Sequence, residues 1–281
     1  MARFRFVRLL LAGLILALPC QLSASSTAPA RIAIILDDIG YNRVTGERAL
    51  ELPDGVSVAV IPFTPYGHVL AQKAHTQGRD VLLHMPMEST DPNRRLDNGG
   101  LTLAQDESEI RKRVNAAIAD MPFAIGMNNH MGSQITIDPV IMGWVMDEVR
   151  KTPLFFIDSM TNSQSVAGRT AHEYHIPSIR RDVFLDNRTD LESIDRAFNK
   201  LIDIAKRNGH AVAIGHPHGT TLAYLESKLP QLEQQGVELV AISNLTAQYG
   251  RPVDKPIKLQ DLMRWIIAMP TPPVTHLNFS N

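Results

Sequence analysis

The sequence predicts an α/β fold, an irregular (β/α) barrel of seven or eight mostly parallel strands. Two observations carry that expectation. Short apolar runs recur along the chain with segments of helical periodicity between them, the pattern of βα units around a parallel sheet. Polar residues capable of chemistry then fall just past the C-terminal ends of those runs, where a parallel barrel gathers its functional groups on one face. An open doubly wound sheet is the competing topology, but the Gly-x-Gly-x-x-Gly turn of a dinucleotide-binding sheet is absent after the first run.

Strands are expected at Ile32 to Leu36, Val56 to Ile61, Val81 to Leu83, Ala124 to Met127, Leu154 to Ile157, Ile176 to Ile179, Val212 to Ile214 and Leu239 to Ile242. Ile110, Val114, Ala117, Ile118 and Met121 recur at helical spacing behind Asp106 and Glu109, which form a capping-box start. Leu191, Ile194, Phe198, Leu201, Ile202 and Ala205 make a second helical stripe. Thr189 with Glu192 reads as its capping box and Gly209 as its stop.

With 281 residues, 44% of them hydrophobic, the chain can bury an ample core, and one barrel-sized domain is expected over residues 27–250. Its 28 basic and 29 acidic residues leave a net charge of -1, which offers nucleic acid no electrostatic footprint. Arg3, Arg5 and Arg8 precede an apolar run from Leu9 to Leu18, followed by Pro19 and a small, polar stretch from Ser23 to Ala30. That is the three-part plan of a secretory signal peptide, placed at residues 1–26. The run is about half the roughly 20 residues needed to cross a bilayer, so no stable transmembrane anchor is expected. Export follows, with a bacterial periplasm as the expected destination. Cys20 is the only cysteine and lies in this segment, so the mature chain would be held by its core without disulfides. Residues 251–281 read as a C-terminal extension with a Pro-rich end.

The stretch IAIILDDIG runs from a buried-looking strand into Asp37 and Asp38. Two carboxylates about 5 Å apart repel by roughly 3 kcal/mol at an effective dielectric of 20. A cation would compensate them, and Asp oxygens with His nitrogens are Zn²⁺ ligands; alternatively one Asp caps the next helix and the other meets solvent. His84 follows the run DVLL as a candidate ligand, and Pro86 bars a regular helix between it and Glu88, which is either a further ligand or a loop carboxylate. Asn128, Asn129 and His130 lie between Gly126 and Gly132; the amides suit orienting a substrate or a metal ligand, and His130 suits ligation. His216 and His218, two apart after a late strand, suit metal ligation or general acid catalysis. Asp158 would orient a catalytic histidine, with Arg181 and Asp182 nearby, unless these are plain salt-bridge or capping residues. His68, His75, His172, His175, His210 and His276 have no comparable placement.

On these residues the chain, from about Arg31 to about Asn244, resembles the polysaccharide deacetylases, and more closely their divergent branch of bacterial exported proteins. The resemblance rests on Leu36-Asp37-Asp38-Ile39-Gly40, His84-Met85-Pro86-Met87-Glu88, Asn128-Asn129-His130-Met131-Gly132-Ser133, Phe156-Ile157-Asp158-Ser159, Arg181-Asp182-Val183-Phe184-Leu185-Asp186 and Gly215-His216-Pro217-His218. It implies a deacetylase-like barrel with Asp37 as base, Asp38 as metal ligand and His216 assisting the leaving group. Two departures stand out. The ordinary plan draws two metal-binding histidines from one His-x-x-x-His segment, whereas the fourth position after His84 is Glu88, and no Arg-Pro-Pro-Tyr-Gly segment is present. His130 is taken as the second histidine, so Asp38, His84 and His130 would hold one divalent metal, Zn²⁺, with Asp37, His216, His218 and Asp158 as the catalytic set. The implied activity is hydrolysis of N-acetyl groups on an amino-sugar polysaccharide or peptidoglycan fragment. The same pocket would also serve a hydrolase of another amide or ester, or a non-catalytic envelope protein that binds glycan or a wall-remodelling partner.

Overall fold

The computed structural model describes residues 29–250. The expected signal segment at residues 1–26, Cys20 and the expected 251–281 extension lie outside them. In chain order the elements are β1 (Ala30–Ile39), α1 (Arg43–Ala49), β2 (Val56–Val60), α2 (Gly67–Thr76), β3 (Val81–Met87), α3 (Glu107–Asp120), β4 (Gly126–Met131), α4 (Pro139–Val149), β5 (Phe155–Asp158), α5 (Ala167–Glu173), β6 (Ser178–Arg180), β7 (Val183–Phe184), α6 (Leu191–Asn208), β8 (His210–Gly215), α7 (Gly219–Lys228), β9 (Val237–Leu239) and α8 (Ile242–Tyr249).

Among the described residues, eight strands pair in the order β6-β5-β4-β3-β2-β1-β8-β7, and every pairing is parallel. The short β9 flanks β1 at Ala30 to Ile32, before β2 takes up the same edge at Ile34. β6 and β7 stand at opposite ends of this order, yet only Arg181 and Asp182 separate them. The Arg181 N–H donates to Asp158 O in β5 at 3.0 Å, and the Asp182 N–H donates to Val212 O in β8 at 2.8 Å. One stretch of chain therefore serves both edges, and the sheet must curl until they approach each other. The result is the irregular barrel that the alternating runs predict.

Strand alternation divides the apolar residues into two sets. Ile32, Ile34 and Leu36 of β1, with Val58, Leu83 and Phe156, face outward beneath the helices. Ala33 and Ile35, with Ala59, Leu82, Ile157, Val212 and Ile214, fill the barrel interior. Helix α8 contributes Ile242 and Leu245 to the interior set. Its own N-cap, Ala241, has no capping side chain; instead the Ile242 N–H donates to Ser57 Oγ at 3.2 Å and the Ser243 N–H to Asp80 Oδ2 at 2.8 Å.

Several boundaries differ from expectation. The apolar run Leu239 to Ile242 divides, with β9 ending at Leu239 and α8 beginning at Ile242. The expected Ile176 to Ile179 strand lies at Ser178–Arg180, and two-residue β7 is too short to show a period. Helix α6 is capped by Asp190, which accepts the Ser193 N–H at 2.9 Å, not by Thr189, because the helix starts at Leu191. Gly209 ends it at φ 83°, as expected. Asp106 caps α3 by accepting the Glu109 N–H. No helix among the described residues is long and apolar enough to cross a membrane.

Two outcomes follow. Leu82→Ala, in the fully buried interior, should lower unfolding free energy by about 2–5 kcal/mol in urea denaturation. In thermal melts, Asp190→Ala should lower the midpoint while Thr189→Ala leaves it unchanged.

Candidate active site

The polar floor of the barrel follows from the same two-residue period. On the interior face Ile35 is followed by Asp37, Leu82 by His84, Gly126 by Asn128, Ile157 by Ser159 and Ile214 by His216. Each strand thus steps from apolar filling to a polar group at its C-terminal end. Asp37, His84, Asn128 and Ser159 are all buried. Above them opens a cleft of about 570 Å³, whose walls include Asp38, His130, Asp186, His216 and His218. That volume is in the range of small-molecule sites.

Asp38 joins this cleft by breaking the alternation. A regular strand would send it to the face opposite Asp37. Instead the β1–β2 register shifts between Leu36 and Ile39, and Asp38 takes φ 59°, a left-handed conformation rare outside glycine. Gly40 follows at φ 135°, where a Cβ would collide with the Thr64 hydroxyl. Strain of this kind persists where the surroundings impose it, and here it puts both carboxylates in one cleft. Neither Asp caps the next helix; the N-cap of α1 is Asn42.

Three atoms converge beside the pair. Asp38 Oδ1 lies 2.8 Å from His130 Nδ1 and 3.2 Å from His84 Nε2, and the two nitrogens are 3.1 Å apart. Neighbouring strands bring the histidines together: β3 and β4 pair His84 with Asn128 and Pro86 with His130. Ligands about 2.0–2.1 Å from a tetrahedral ion sit about 3.3 Å apart, close to this triangle. One carboxylate and two imidazoles also form the three-ligand donor set of a catalytic zinc site with a position left open. The residues therefore fit a divalent cation.

The surrounding groups hold each of these in place. His84 Nδ1 donates to Asn128 Oδ1 at 2.8 Å, and Asn128 Nδ2 donates to Asp37 Oδ1 at 2.9 Å, leaving Asp37 Oδ2 3.5 Å from His84 Nε2. His216 Nδ1 meets Asp186 Oδ1 at 2.9 Å, and its Nε2 faces Asp38 Oδ2 at 3.9 Å. Asp186 Oδ2 accepts the His216 N–H at 2.7 Å and the Thr221 hydroxyl at 2.8 Å. Phe184 stacks on the His216 ring, and the Arg181 guanidinium lies over Phe184.

These contacts pull the two aspartates apart electrostatically. Burial pushes the Asp37 carboxyl above its ordinary range, outweighing the attraction of His84 and His216. Burial also works to raise Asp38, but hydrogen bonds and attraction from His130 and His84 prevail and hold it well below the carboxylate range. Burial would lower His130 and His216, yet Asp38 with Asp97 raises the first to about 9, and Asp186 with Asp38 and Asp37 raises the second to about 9.

Asp158 requires a correction. On β5 it follows the outward parity of Phe156, so its carboxylate accepts the Met160 and Gly168 N–H groups and the Ser165 hydroxyl, tying down the loop before α5. It orients no histidine; Asp186 does that for His216. Asp186 lies just past β7, but at two residues that strand shows no period by which the sequence would mark its end. Glu88 likewise serves a loop, accepting the Leu103 N–H at 2.7 Å, and Asp182 accepts the Val212 N–H at 2.9 Å. Arg181 donates to the Ser159 and Met160 carbonyls. His218 stands exposed at the cleft mouth, its ring 5.8 Å from that of His216. Asp186, His216 and His218 are close enough to share an ion, but both Asp186 oxygens are already engaged.

A curled parallel barrel with this cleft at its C-terminal strand ends is a deacetylase-like barrel. The chain belongs to the divergent polysaccharide deacetylase family, whose model matches residues 34–246. It is 40% identical over 220 residues to an uncharacterized protein of Haemophilus influenzae, covering 78% of each chain. It is 37% identical over 234 residues to YibQ, an uncharacterized protein of Escherichia coli, covering 82% of this chain and 72% of that one. A crystal structure of an uncharacterized protein from Agrobacterium tumefaciens has the same fold, with a TM-score of 0.75 at 24% identity over 79% of this chain and 91% of that chain.

Asp38→Asn, His84→Ala and His130→Ala should each weaken Zn²⁺ binding in calorimetry by more than the 10–100-fold typical of a change outside the ligand set. Asp158→Asn should leave that affinity unchanged.

Proposed function

We propose that the protein is a divalent-metal-dependent hydrolase that removes N-acetyl groups from an amino-sugar polysaccharide or peptidoglycan fragment in the bacterial cell envelope. The convergence of Asp38 Oδ1, His84 Nε2 and His130 Nδ1, with Asp37 and His216 beside them, carries this reading. A divalent cation at that triangle, Zn²⁺ by its donor set, supplies Lewis acidity to an amide carbonyl and to water.

The chain's own residues supply the proton traffic. Asp37 keeps Oδ1 in the Asn128 hydrogen bond and turns Oδ2 toward the triangle, 3.5 Å from His84 Nε2, where it accepts the proton of the attacking water. Its raised pKa makes it a stronger base than a solvated aspartate. His216, raised to about 9, is protonated at neutral pH, and its Nε2–H is given to the departing amine nitrogen as the C–N bond breaks. Acetate and a free amine are the products. Asp186 fixes the orientation of the imidazole by accepting from Nδ1. Ser89, Ser133, Thr161, Asn129 and Asn187 give the cleft wall hydroxyl and amide groups suited to sugar hydroxyls. Action in the periplasm is supported by the basic, apolar and small-residue order of residues 1–26.

Purified protein supplied with Zn²⁺ should release acetate from N-acetylated chitooligosaccharides or peptidoglycan fragments. A metal-loaded protein that releases none from any amino-sugar polymer would overturn the reading. Asp37→Asn and His216→Ala should each lower kcat by about 10²–10⁴-fold while Zn²⁺ affinity is retained. Asp186→Asn removes a negative charge that holds the His216 proton, so the folded-state pKa falls and the acid form is lost sooner as pH rises. The alkaline limb of the pH–rate profile should therefore move to lower pH.

A further inference from the structure

His130 is engaged through both ring nitrogens. Nδ1 belongs to the triangle, and Nε2 lies 3.0 Å from Asp97 Oδ2. The other Asp97 oxygen accepts the Tyr41 hydroxyl at 2.6 Å. Asp97 comes from the irregular connection between β3 and α3, which also sends Ser89, Asp91 and Arg94 into the cleft wall. Tyr41 directly follows Gly40 at the exit of β1.

We infer that Asp97, braced by Tyr41, is the positioning residue for His130. It accepts the Nε2–H and thereby leaves the Nδ1 lone pair aimed at the cation shared with Asp38 and His84. The inference rests on the metal reading above. A neutral imidazole has two tautomers, and only the Nε2–H form offers Nδ1 as a ligand. A carboxylate on Nε2–H selects that form, fixes the ring plane and strengthens the donor. His84 is held in the opposite sense, with Nδ1–H donating to the Asn128 amide oxygen and Nε2 placed in the triangle. The two imidazoles thus meet the same point through different nitrogens, and each has its own partner to enforce the choice. Because Asp97 lies on the connection that walls the cleft, the same contact ties that wall to a metal ligand.

The test uses the full chain with Asp97→Ala, Asp97→Asn and Tyr41→Phe, measuring Zn²⁺ affinity by chelator competition and histidine ring ¹⁵N signals by NMR. Asp97→Ala should lower affinity by about 10–100-fold, shifting the His130 ring signals while those of His84 keep their pattern. Asp97→Asn, which retains an acceptor without the charge, should fall between wild type and alanine, and Tyr41→Phe should lose least. Zn²⁺ affinity within twofold of wild type in Asp97→Ala, with unchanged His130 signals, overturns the inference. If Asp97→Ala does not fold, wild-type affinity and signals in both other variants overturn it. If the wild type takes up no Zn²⁺, the metal reading fails, and the metal-free ring in alkaline solution decides the positioning role. An Nε2–H tautomer in wild type that becomes mixed in Asp97→Ala or Asp97→Asn supports that role, and identical spectra overturn it.

Discussion

Two ionisable carboxylates on consecutive residues of a buried strand repel each other and lose hydration together, so the groups around them must supply positive charge and hydrogen bonds. In this protein those groups are His84, His130 and His216, with the Asn128 amide donating to Asp37. The burden is not shared evenly. Asp38 receives the close imidazole contacts and is held ionised, whereas Asp37 lies deeper and is pushed toward its neutral form. One chemical doublet thus becomes two electrostatically different carboxyls because of what surrounds each member.

The barrel makes that arrangement possible through parallel pairing and a controlled departure from it. Strands aligned in parallel bring all their C-terminal ends to one face, so five interior rows can end in polar groups on that face. Regular alternation would still waste half the polar residues on the outer face. The left-handed residue Asp38 recovers one of them, and Met131 at φ 51° and Met160 at φ 49° turn the chain just after His130 and Ser159. Irregular backbone is therefore concentrated where strands leave the barrel at the cleft.

Much of the fold and site was legible because both depend on period. Apolar runs of strand length, helical stripes and polar strand ends are local patterns, and they picked out Asp37, Asp38, His84, His130 and His216 without any contact information. The failures have equally specific causes. Asp158 also ends a strand, but its parity turns it outward, and parity is decided by which face of β5 the core claims. Leu239 to Ile242 is an uninterrupted apolar stretch, so hydrophobicity alone does not reveal that the backbone changes from strand to helix within it. Asp97 lies in a connection without a period, and nothing near it in sequence points to His130.

The sequence by itself determined the alternating architecture, the residues at the strand ends and membership in a recognisable family, because these are properties of spacing along one chain. Tertiary structure decided which polar groups meet. The closure of the sheet through the Ser178–Phe184 stretch, the bulge at Asp38 and the assignment of Asp97, Asn128 and Asp186 to particular histidines all depend on approaches between residues far apart in sequence. A hydrogen-bond partner is chosen by distance and direction in space, and a linear sequence does not carry those quantities until the chain has folded.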